Sequence, residues 1–540
     1  MTEMATRIAT LWPEILMLIT AFAAMILGLS PNATVRRGTA FLTAGGLVGA
    51  GLLVVFGEGI GLPALTPFAY YVKLAVIGVG LLLLLAAIEV PDENRGDLEA
   101  GQPFDAGLVS RGEFYGFFML SLVGAMLCAT ADDLIWLFLA LELTSLPTYV
   151  MVATARYRIE APEAGVKYFF LGAFAAAIFL YGFALLYGAT GTTMFTAPGE
   201  SDAVGISAVF RAEGVSTIAM LGLLLAIVGV SFKTAAVPMH FYAADVYQGA
   251  ATPITAFLAF VPKTAGFLAL IALLNLVGWP LDAIGPWGDA LVWLLWIMAV
   301  LTMFVGNTMA LRQDNVKRVL AYSSIAHTGY MMVGLLAGPG LASDAGEGLL
   351  IRNGIAAVLF YLVVYGVMNL GAFAVLGVLK ARGEEAQTYD DLRGLVRRHP
   401  GLATIMAICV LSLTGIPPIV GFWGKMVLVG SAIGAGSEMM IWLVVLLVLA
   451  SAIAAVYYLR IIAACFLPEP SGQTREADLP WRVASATIAA IVVVVLSFTA
   501  SWLLDGARTA AALQVELPAA SSVTQAPASA DPSAEAFSLR

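Results

Sequence analysis

Two lysines, Lys233 and Lys263, each lie inside a run of apolar residues long enough to form a membrane helix. A charged side chain near the centre of a bilayer costs at least ~2.5 kcal/mol, so it persists where it faces a protein interior, a partner or a water path. The residues between them include two prolines and two polar side chains: Pro238, His240, Asp245 and Pro253. Prolines interrupt helices, and interrupted membrane helices are tolerated at sites that handle ions. This stretch therefore indicates movement of charge across a membrane.

Two further ionisable residues lie deep in apolar runs, Glu142 in LIWLFLALELTSLPTYV and Lys425 in LTGIPPIVGFWGK. Burial alone would hold Glu142 neutral and silent. If a lysine from another helix pairs with it, each group keeps the other charged, and separating the pair lets a proton move. We therefore expect Glu142 and the three deep lysines to act as a proton relay. Lys73 lies near the end of its run, where we expect its side chain to reach the interface.

The three histidines differ in their surroundings. His327 lies in YSSIAHTGYMM among hydroxyl side chains. It is either a hydrogen-bonded packing residue or a link in the relay, because an imidazole titrates at about pH 6.5. His240 is a candidate for proton uptake near the end of its span, and His399 lies in a charged loop, where we expect it to be solvated.

Other kinds of site find no support in the sequence. The glycines of residues 57–61 lack the following helix and the acidic residue of a dinucleotide site. Cys128, Cys409 and Cys465 are isolated in or beside apolar runs, which is typical of small buried side chains and not of metal ligands or disulfides. We expect no cofactor site and no metal site in this chain, and no nucleic acid partner.

Composition identifies the class of protein that carries these residues. The chain has 540 residues, of which 60% are hydrophobic and 12% charged, whereas soluble proteins carry roughly 25% charged residues. Apolar runs near the ~20 residues that span a bilayer recur along the chain. We predict an all-α polytopic membrane protein with about 14 transmembrane helices, at 11–29, 38–56, 68–88, 114–130, 133–153, 165–187, 215–237, 252–276, 289–309, 316–337, 353–379, 401–429, 440–466 and 483–504.

Basic residues indicate the orientation of these spans. With the N-terminus outside, 18 of the 27 lysines and arginines fall on the cytoplasmic side and five on the outer side. Cytoplasmic loops carry the excess of basic residues in membrane proteins. We therefore predict that both termini lie on the outer face and that the charged loop 380–400 lies in the cytoplasm.

A weak internal repeat divides the chain. Span seven carries SFKTAAVP and span twelve carries LTGIPPIVGFWGK, so both are expected to be broken helices. Because they lie five spans apart, spans 4–8 and 9–13 would form two inverted five-helix repeats. The predicted divisions are an N-terminal three-helix segment with an acidic loop, the two repeats, a C-terminal span and a disordered tail: 1–110, 111–276, 277–466, 467–506 and 507–540.

The sequence resembles the antiporter-like membrane subunits of respiratory complex I, and among them the subunit N group of bacterial NADH:quinone oxidoreductases. The resemblance covers approximately residues 110–430 and rests on Glu142 and Lys425 in the stretches quoted above. It rests also on GVKYFFLGAFAAAIFLYGFALLYG, FKTAAVPMHFYAADVYQGAATPITAFLA, QDNVKRVLAYSSIAHTGYM and TYDDLRGLVRRHP. The lysine at 425 and the short C-terminal region favour subunit N over its sister subunits.

The resemblance implies a proton path through Glu142, Lys233, Lys263 and Lys425, with His327 as a link. It implies a subunit of the bacterial inner membrane, with both termini in the periplasm. Its partners would be a sister antiporter-like subunit, small membrane subunits and the lipid bilayer. NADH, FMN, iron–sulfur clusters and quinone would be bound by partner subunits, whose electron transfer from NADH to quinone would drive the pumping.

One alternative keeps the membrane fold and changes the function. A subunit of a multisubunit cation/proton antiporter would need no redox partner. A sodium site is usually rich in carboxylates, whereas this chain offers one deep carboxylate and three deep lysines, a charge balance that repels cations. The residues therefore favour a redox-driven proton pump.

Overall fold

Apolar helices make up most of the computed structural model, which describes residues 8–93, 111–154, 159–196, 204–281, 287–339, 352–381, 384–467 and 474–512. We number these helices along the chain and give each broken helix two halves. They are α1 (Trp12–Gly28), α2 (Ala33–Phe56), α3 (Pro67–Ala87), α4 (Arg111–Cys128), α5 (Leu134–Thr154), α6 (Glu160–Thr190), α7a (Thr217–Thr234), α7b (Ala243–Gly249), α8 (Thr252–Val277), α9 (Gly288–Leu311), α10 (Val316–Ala337), α11 (Gly354–Val378), α12a (Pro400–Thr414), α12b (Val420–Gly434), α13 (Glu438–Phe466), α14 (Pro480–Phe498) and α15 (Ala500–Ala512).

Local sequence explains where several helices begin. Asn32, Asn315 and Asn353 precede α2, α10 and α11, and each side-chain oxygen accepts a hydrogen bond from a backbone N–H of the first turn. Such caps satisfy donors that the helix itself leaves unpaired. Pro400 and Pro480 are the first residues of α12a and α14, where a proline fits because no hydrogen bond is lost.

The membrane class predicted from composition is confirmed. Within the described ranges, 11 helices are long and apolar enough to cross a membrane, and four shorter apolar helices accompany them. Every predicted span overlaps one of these helices, although the edges move by a few residues. The chain is therefore a multi-pass membrane protein.

Three helices form the centre of the bundle. In α8, α10 and α11, about nine-tenths of the most apolar window is buried inside the protein, whereas α6 and α13 leave most of theirs exposed. Helices that are apolar all round belong in an interior, and here that interior contains the side chains of Lys263 and His327. Lys263 therefore cannot reach lipid or solvent by extending its side chain.

Both predicted breaks, in spans seven and twelve, are present. The residue that follows α7a, Ala235, has a left-handed φ of 57°, and the residue that follows α12a, Gly415, has a φ of 81°. In each case a proline follows three residues later, Pro238 in one and Pro418 in the other. A left-handed residue ends a helix while its last carbonyls find partners elsewhere. The two breaks thus expose backbone groups inside the bundle.

The prediction of an all-α fold needs one correction. A small antiparallel sheet of three strands, β1 (Leu379–Ala381), β2 (Glu384–Glu385) and β3 (Thr474–Glu476), has the order β2-β1-β3. The loop 380–400, which contains β2, also contains two short helices, Tyr389–Leu392 and Leu395–Arg398. Strands of two or three residues are too short to leave an alternating pattern in the sequence.

Residues 507–512, which were predicted to belong to a disordered tail, are helical. Helix α15 continues through Ala507, Ala510 and Ala511, which are buried and lie on one face against α3 and α11. An alanine-rich segment carries little hydrophobic signal, and its small residues pack here because other helices approach closely. Residues 513–540, and residues 94–110 of the predicted acidic loop, lie outside the described part of the chain.

Candidate functional site

Glu142 and Lys233 form an ion pair between α5 and α7a. Lys233 Nζ is 3.0 Å from Glu142 Oε1 and donates a second hydrogen bond to Ser145 Oγ at 2.5 Å. The lysine side chain is 1% exposed and the glutamate side chain 16% exposed. Lys233 also lies in the last turn of α7a, where the helix dipole favours a cation. This contact is the lysine pairing expected for Glu142.

Contacts from two neighbouring helices hold the break in α7. Thr328 Oγ1 on α10 donates to the carbonyl oxygen of Thr234 at 2.6 Å, and Val237 N donates to Thr302 Oγ1 on α9 at 3.0 Å. On the other side, α8 approaches at Gly266, where an added Cβ would lie 2.7 Å from Thr234 Cγ2. The end of the Lys233 helix is therefore fixed against α8, α9 and α10.

Lys263 is held by α10 and not by a carboxylate. Its Nζ donates to Ser324 O at 2.5 Å and to Ser324 Oγ at 2.8 Å, and it lies 4.8 Å from the centre of the Tyr365 ring. Within the described residues, no carboxylate forms an ion pair with Lys263. A carbonyl, a hydroxyl and an aromatic face stabilise an ammonium less than a carboxylate does. Lys263 is therefore held by a weaker set of partners than Lys233.

His327 connects to two tyrosines. Its Nδ1 is 2.8 Å from Tyr361 Oη and its Nε2 is 3.0 Å from Tyr458 Oη. Tyr458 in turn shares a short hydrogen bond with Ser323. With both ring nitrogens bonded to hydroxyls, the imidazole can accept a proton on one side and release one on the other.

Lys425 crosses the break in α12. Its Nζ donates to the carbonyl oxygen of Thr414, the last residue of α12a, at 2.8 Å, and lies 5.0 Å from the centre of the Tyr330 ring. The carbonyl end of a helix carries partial negative charge, which favours the ammonium. Gly415 is adjacent, and a Cβ there would lie 2.9 Å from the lysine chain. The break thus positions the lysine.

Helix α10 brings the predicted site residues together. Ser324, His327 and Tyr330 follow one another at intervals of three residues and contact Lys263, the two tyrosines and Lys425 respectively. Residues three apart lie on the same side of a helix. Thr328 on the same helix caps the end of the Lys233 helix. All five predicted residues therefore belong to one buried polar region, with Glu142 joined to it through Lys233.

Comparisons with known proteins identify the family. Residues 131–454 match the family described as NADH:quinone oxidoreductase/Mrp antiporter, TM. NADH-quinone oxidoreductase subunit N of Trichlorobacter lovleyi is 39% identical over 89% of this chain and 91% of its own length. The subunit N of Rhodospirillum rubrum is 37% identical over 82% of this chain and 83% of its own length. The chain belongs to the subunit N family of NADH-quinone oxidoreductases.

Two solved structures have a similar fold. A chain of respiratory complex I from Thermus thermophilus is 31% identical, with a TM-score of 0.69, over 91% of this chain and 98% of that chain. A chain of the Mrp complex from Dietzia is 19% identical, with a TM-score of 0.72, over 96% of this chain and 98% of that chain. The second match shows a shared fold alone.

The expectation that Lys73 reaches the interface is wrong. Its side chain is fully buried, and its Nζ lies 2.8 Å from Glu14 Oε1 and donates to Thr10 O at 3.0 Å. Glu14 stands in the first turn of α1, and α3 carries Lys73. The sequence places both residues near helix ends, but only packing of α1 and α3 shows that they meet.

Sequence reasoning also missed the two tyrosines beside His327. Tyr361 and Tyr458 lie in apolar runs, where a tyrosine is usually read as an interfacial anchor. Both are fully buried, and Tyr458 stands eight residues before the end of α13, away from the edge where an anchor belongs.

His399, which we expected to be solvated, has a partner. Its Nδ1 lies 2.8 Å from Glu476 Oε2 on β3.

Proposed function

We propose that this chain is the proton-translocating membrane subunit of an NADH:quinone oxidoreductase and that its proton relay consists of Glu142, Lys233, Lys263, His327 and Lys425. The observation that carries the proposal is the buried region along α10, in which Lys263, His327 and Lys425 are each bonded to neutral polar groups. The naming of its relatives supports the complex to which it would belong.

The Glu142–Lys233 pair is the control point of the proposed relay. While the pair is closed, each charge stabilises the other and the proton stays on the lysine. When the carboxylate moves away, Lys233 loses this stabilisation in a buried site and gives up its proton. The proton then passes to Lys263, His327 and Lys425 in turn along α10. Lys425 releases it towards the outer side when its contact with Thr414 opens.

The driving force enters at the face of α5. Glu142 keeps part of its side chain exposed within a stripe of exposed apolar residues formed by Ile135, Leu139, Leu146 and Val150. A carboxylate facing lipid is unfavourable, so a neighbouring membrane subunit covers this stripe. A change of charge in that subunit then pulls Glu142 away from Lys233. NADH, FMN, iron–sulfur clusters and quinone belong to partner subunits in this scheme.

The proposed topology has 14 spans in the bacterial inner membrane with both termini in the periplasm. The first repeat comprises α4–α8 and the second α9–α13, in opposite orientations. Supporting this, a left-handed residue is followed by a proline at the same spacing in α7 and α12. The segment before α4 and the last helices flank the two repeats.

An antiporter without a redox partner is the alternative. The fold shared with the Mrp complex does not decide between the two functions. The site favours the redox-driven pump, because three lysines and one carboxylate repel sodium. Reconstitution provides the test. The purified chain in vesicles with a sodium gradient should move no protons, whereas the assembled complex should pump them with NADH and quinone. Sodium-driven proton exchange by the chain alone would establish the antiporter instead.

A further inference from the structure

A second buried lysine–carboxylate pair lies outside the relay, at the end of the molecule that carries the small sheet. Lys317 Nζ is 3.4 Å from Glu385 Oε2, and the two side chains are 0% and 6% exposed. Lys317 belongs to the first turn of α10, and Glu385 is the last residue of β2. Lys317 Nζ also donates to Ala250 O at 2.7 Å. In the proposed topology this end faces the cytoplasm.

Glu385 binds the beginning of the helix that carries Lys263. Thr252, the first residue of α8, donates from Oγ1 to Glu385 Oε2 at 2.5 Å and from its backbone N to Oε1 at 3.3 Å. The N-terminus of a helix carries partial positive charge and stabilises a carboxylate. Glu385 therefore links the charged loop 380–400 to the beginning of α8 through an ionisable side chain. Of that side chain, 6% remains exposed.

Hydroxyl groups continue from this point towards Lys263. Thr255 is one turn further along α8, and its Oγ1 donates to Tyr247 O at 3.0 Å. Tyr247 Oη lies 3.4 Å from Ser324 Oγ, which accepts a hydrogen bond from Lys263 Nζ at 2.8 Å. All of these side chains are buried.

A proton that moves from the Glu385 end of α8 to Lys263 would travel about three turns of the helix. Thr252 and Lys263 are 11 residues apart on α8, which corresponds to about 16 Å at 1.5 Å per residue. Side chains one helical turn apart are separated by about 5–6 Å, a gap that a bridging water molecule spans. The hydroxyls of Thr252, Thr255, Tyr247 and Ser324 therefore form a row along α8, α7b and α10 between the carboxylate and the amine. Tyr247 and Ser324 are in direct contact, and water would bridge the remaining gaps.

We propose that Glu385, supported by Lys317, is the proton-uptake site that reloads the relay through Lys263, after Lys263 has passed on the proton that it received from Lys233. In this step the O–H bond of the protonated Glu385 carboxyl breaks, and an N–H bond forms on the neutral amine of Lys263, which becomes an ammonium. Proton exchanges along the hydroxyl row link the two events, so no other group changes its charge. The Glu385 carboxylate is stabilised by Lys317 and Thr252 until it takes a proton from cytoplasmic water. The inference rests on the proposed function, because it assumes that Lys263 carries protons.

Two variants of Glu385 separate proton uptake from a purely structural clamp. Glu385→Gln keeps the side-chain length and hydrogen bonds but cannot ionise, whereas Glu385→Asp ionises but is one methylene shorter. The assay is the initial rate of NADH-driven proton pumping by the assembled complex in vesicles, per amount of complex. We expect pumping at least tenfold slower in Glu385→Gln, and faster in Glu385→Asp than in Glu385→Gln. Glu385→Gln pumping at least as fast as Glu385→Asp would overturn the proposal.

A variant further along the row tests the route while leaving the clamp intact. Tyr247→Phe removes only the hydroxyl beside Ser324, and we expect it too to slow pumping at least tenfold. The control is Asp390→Asn in the same loop, whose carboxylate is 72% exposed and pairs with Arg393 on the surface. It should pump at the unmodified rate. Normal pumping by Tyr247→Phe would exclude this route.

The relay variant Lys233→Ala distinguishes failure of this inference from failure of the proposed function. If Lys233→Ala stops pumping while Glu385→Gln and Tyr247→Phe pump normally, the uptake site is wrong and the relay stands. If all three pump normally, the proposed function itself fails, and this inference fails with it.

Discussion

Replacing Lys233 by alanine leaves the carboxylate of Glu142 in a membrane helix without its ammonium partner. The two charged atoms are 3.0 Å apart, so their attraction is about 5.5 kcal/mol at an effective dielectric constant of about 20. Removing one partner of a buried pair costs ~3–5 kcal/mol. Because Glu142 is 16% exposed, we take the lower end of this range, about 3 kcal/mol, as the cost of leaving its carboxylate without a partner.

The assay is NADH-driven proton pumping by the assembled complex in vesicles, normalised to the amount of complex. We expect Lys233→Ala to assemble and to pump at least tenfold more slowly, because the first transfer has lost its donor. Lys233→Arg should retain the ion pair and assembly but should not restore pumping, because a guanidinium keeps its proton at any usable pH. Unreduced pumping by either variant would refute the assigned role of Lys233.

A second ion pair provides the matched control for this prediction. Lys73→Met breaks the contact of 2.8 Å with Glu14, which is shorter and more buried than the Lys233 contact but lies outside the relay. We expect less complex to assemble and each assembled complex to pump normally. If Lys73→Met slowed pumping as strongly as Lys233→Ala, loss of any buried charge would explain both results, and the relay would lose its support.

Two other predictions concern orientation and stability. An impermeant thiol reagent added outside intact cells should label Glu213→Cys but not Asp390→Cys, both exposed sites, and the three native cysteines are buried. Labelling of Asp390→Cys from outside would reverse the proposed topology. For the pair of Lys73 and Glu14, each of Lys73→Met and Glu14→Gln alone should destabilise the folded protein by ~3–5 kcal/mol. The double variant should lose much less than the sum, and additive losses would show that the two groups are not coupled.

The relay residues show how much can be predicted from the sequence around a single residue. Glu142, Lys233, Lys263 and Lys425 were identifiable because a charge in an apolar run is conspicuous, and their membrane context makes each one unfavourable unless it has a partner. The sequence does not show which group each of these lysines contacts. Lys233 meets a carboxylate, whereas Lys263 meets Ser324 and Lys425 meets the carbonyl of Thr414. Nothing in the spacing of these lysines distinguishes the three environments.

Lys73 and Glu385 show why reading along the chain failed at other sites. Lys73 was assigned to the interface because it lies near the end of its apolar run, but α1 packs there and supplies Glu14. Glu385 stands in the charged loop 380–400, where its sequence neighbours give no sign of burial, yet β2 places its carboxylate against Thr252 at the start of α8. Whether a residue near a helix end or in a loop is buried depends on which other segments pack over it, and those segments come from distant positions in the chain.

The sequence by itself determined the class of protein, the helices and their breaks, because hydropathy and prolines act through the nearest few residues. It also determined which ionisable groups enter the membrane. Only the tertiary structure decided that α10 connects them, that Tyr361 and Tyr458 bond to His327, and that Glu385 approaches the helix of Lys263. Hydrogen bonds and ion pairs extend only about 3 Å, so they depend on the packing of helices far apart in the chain.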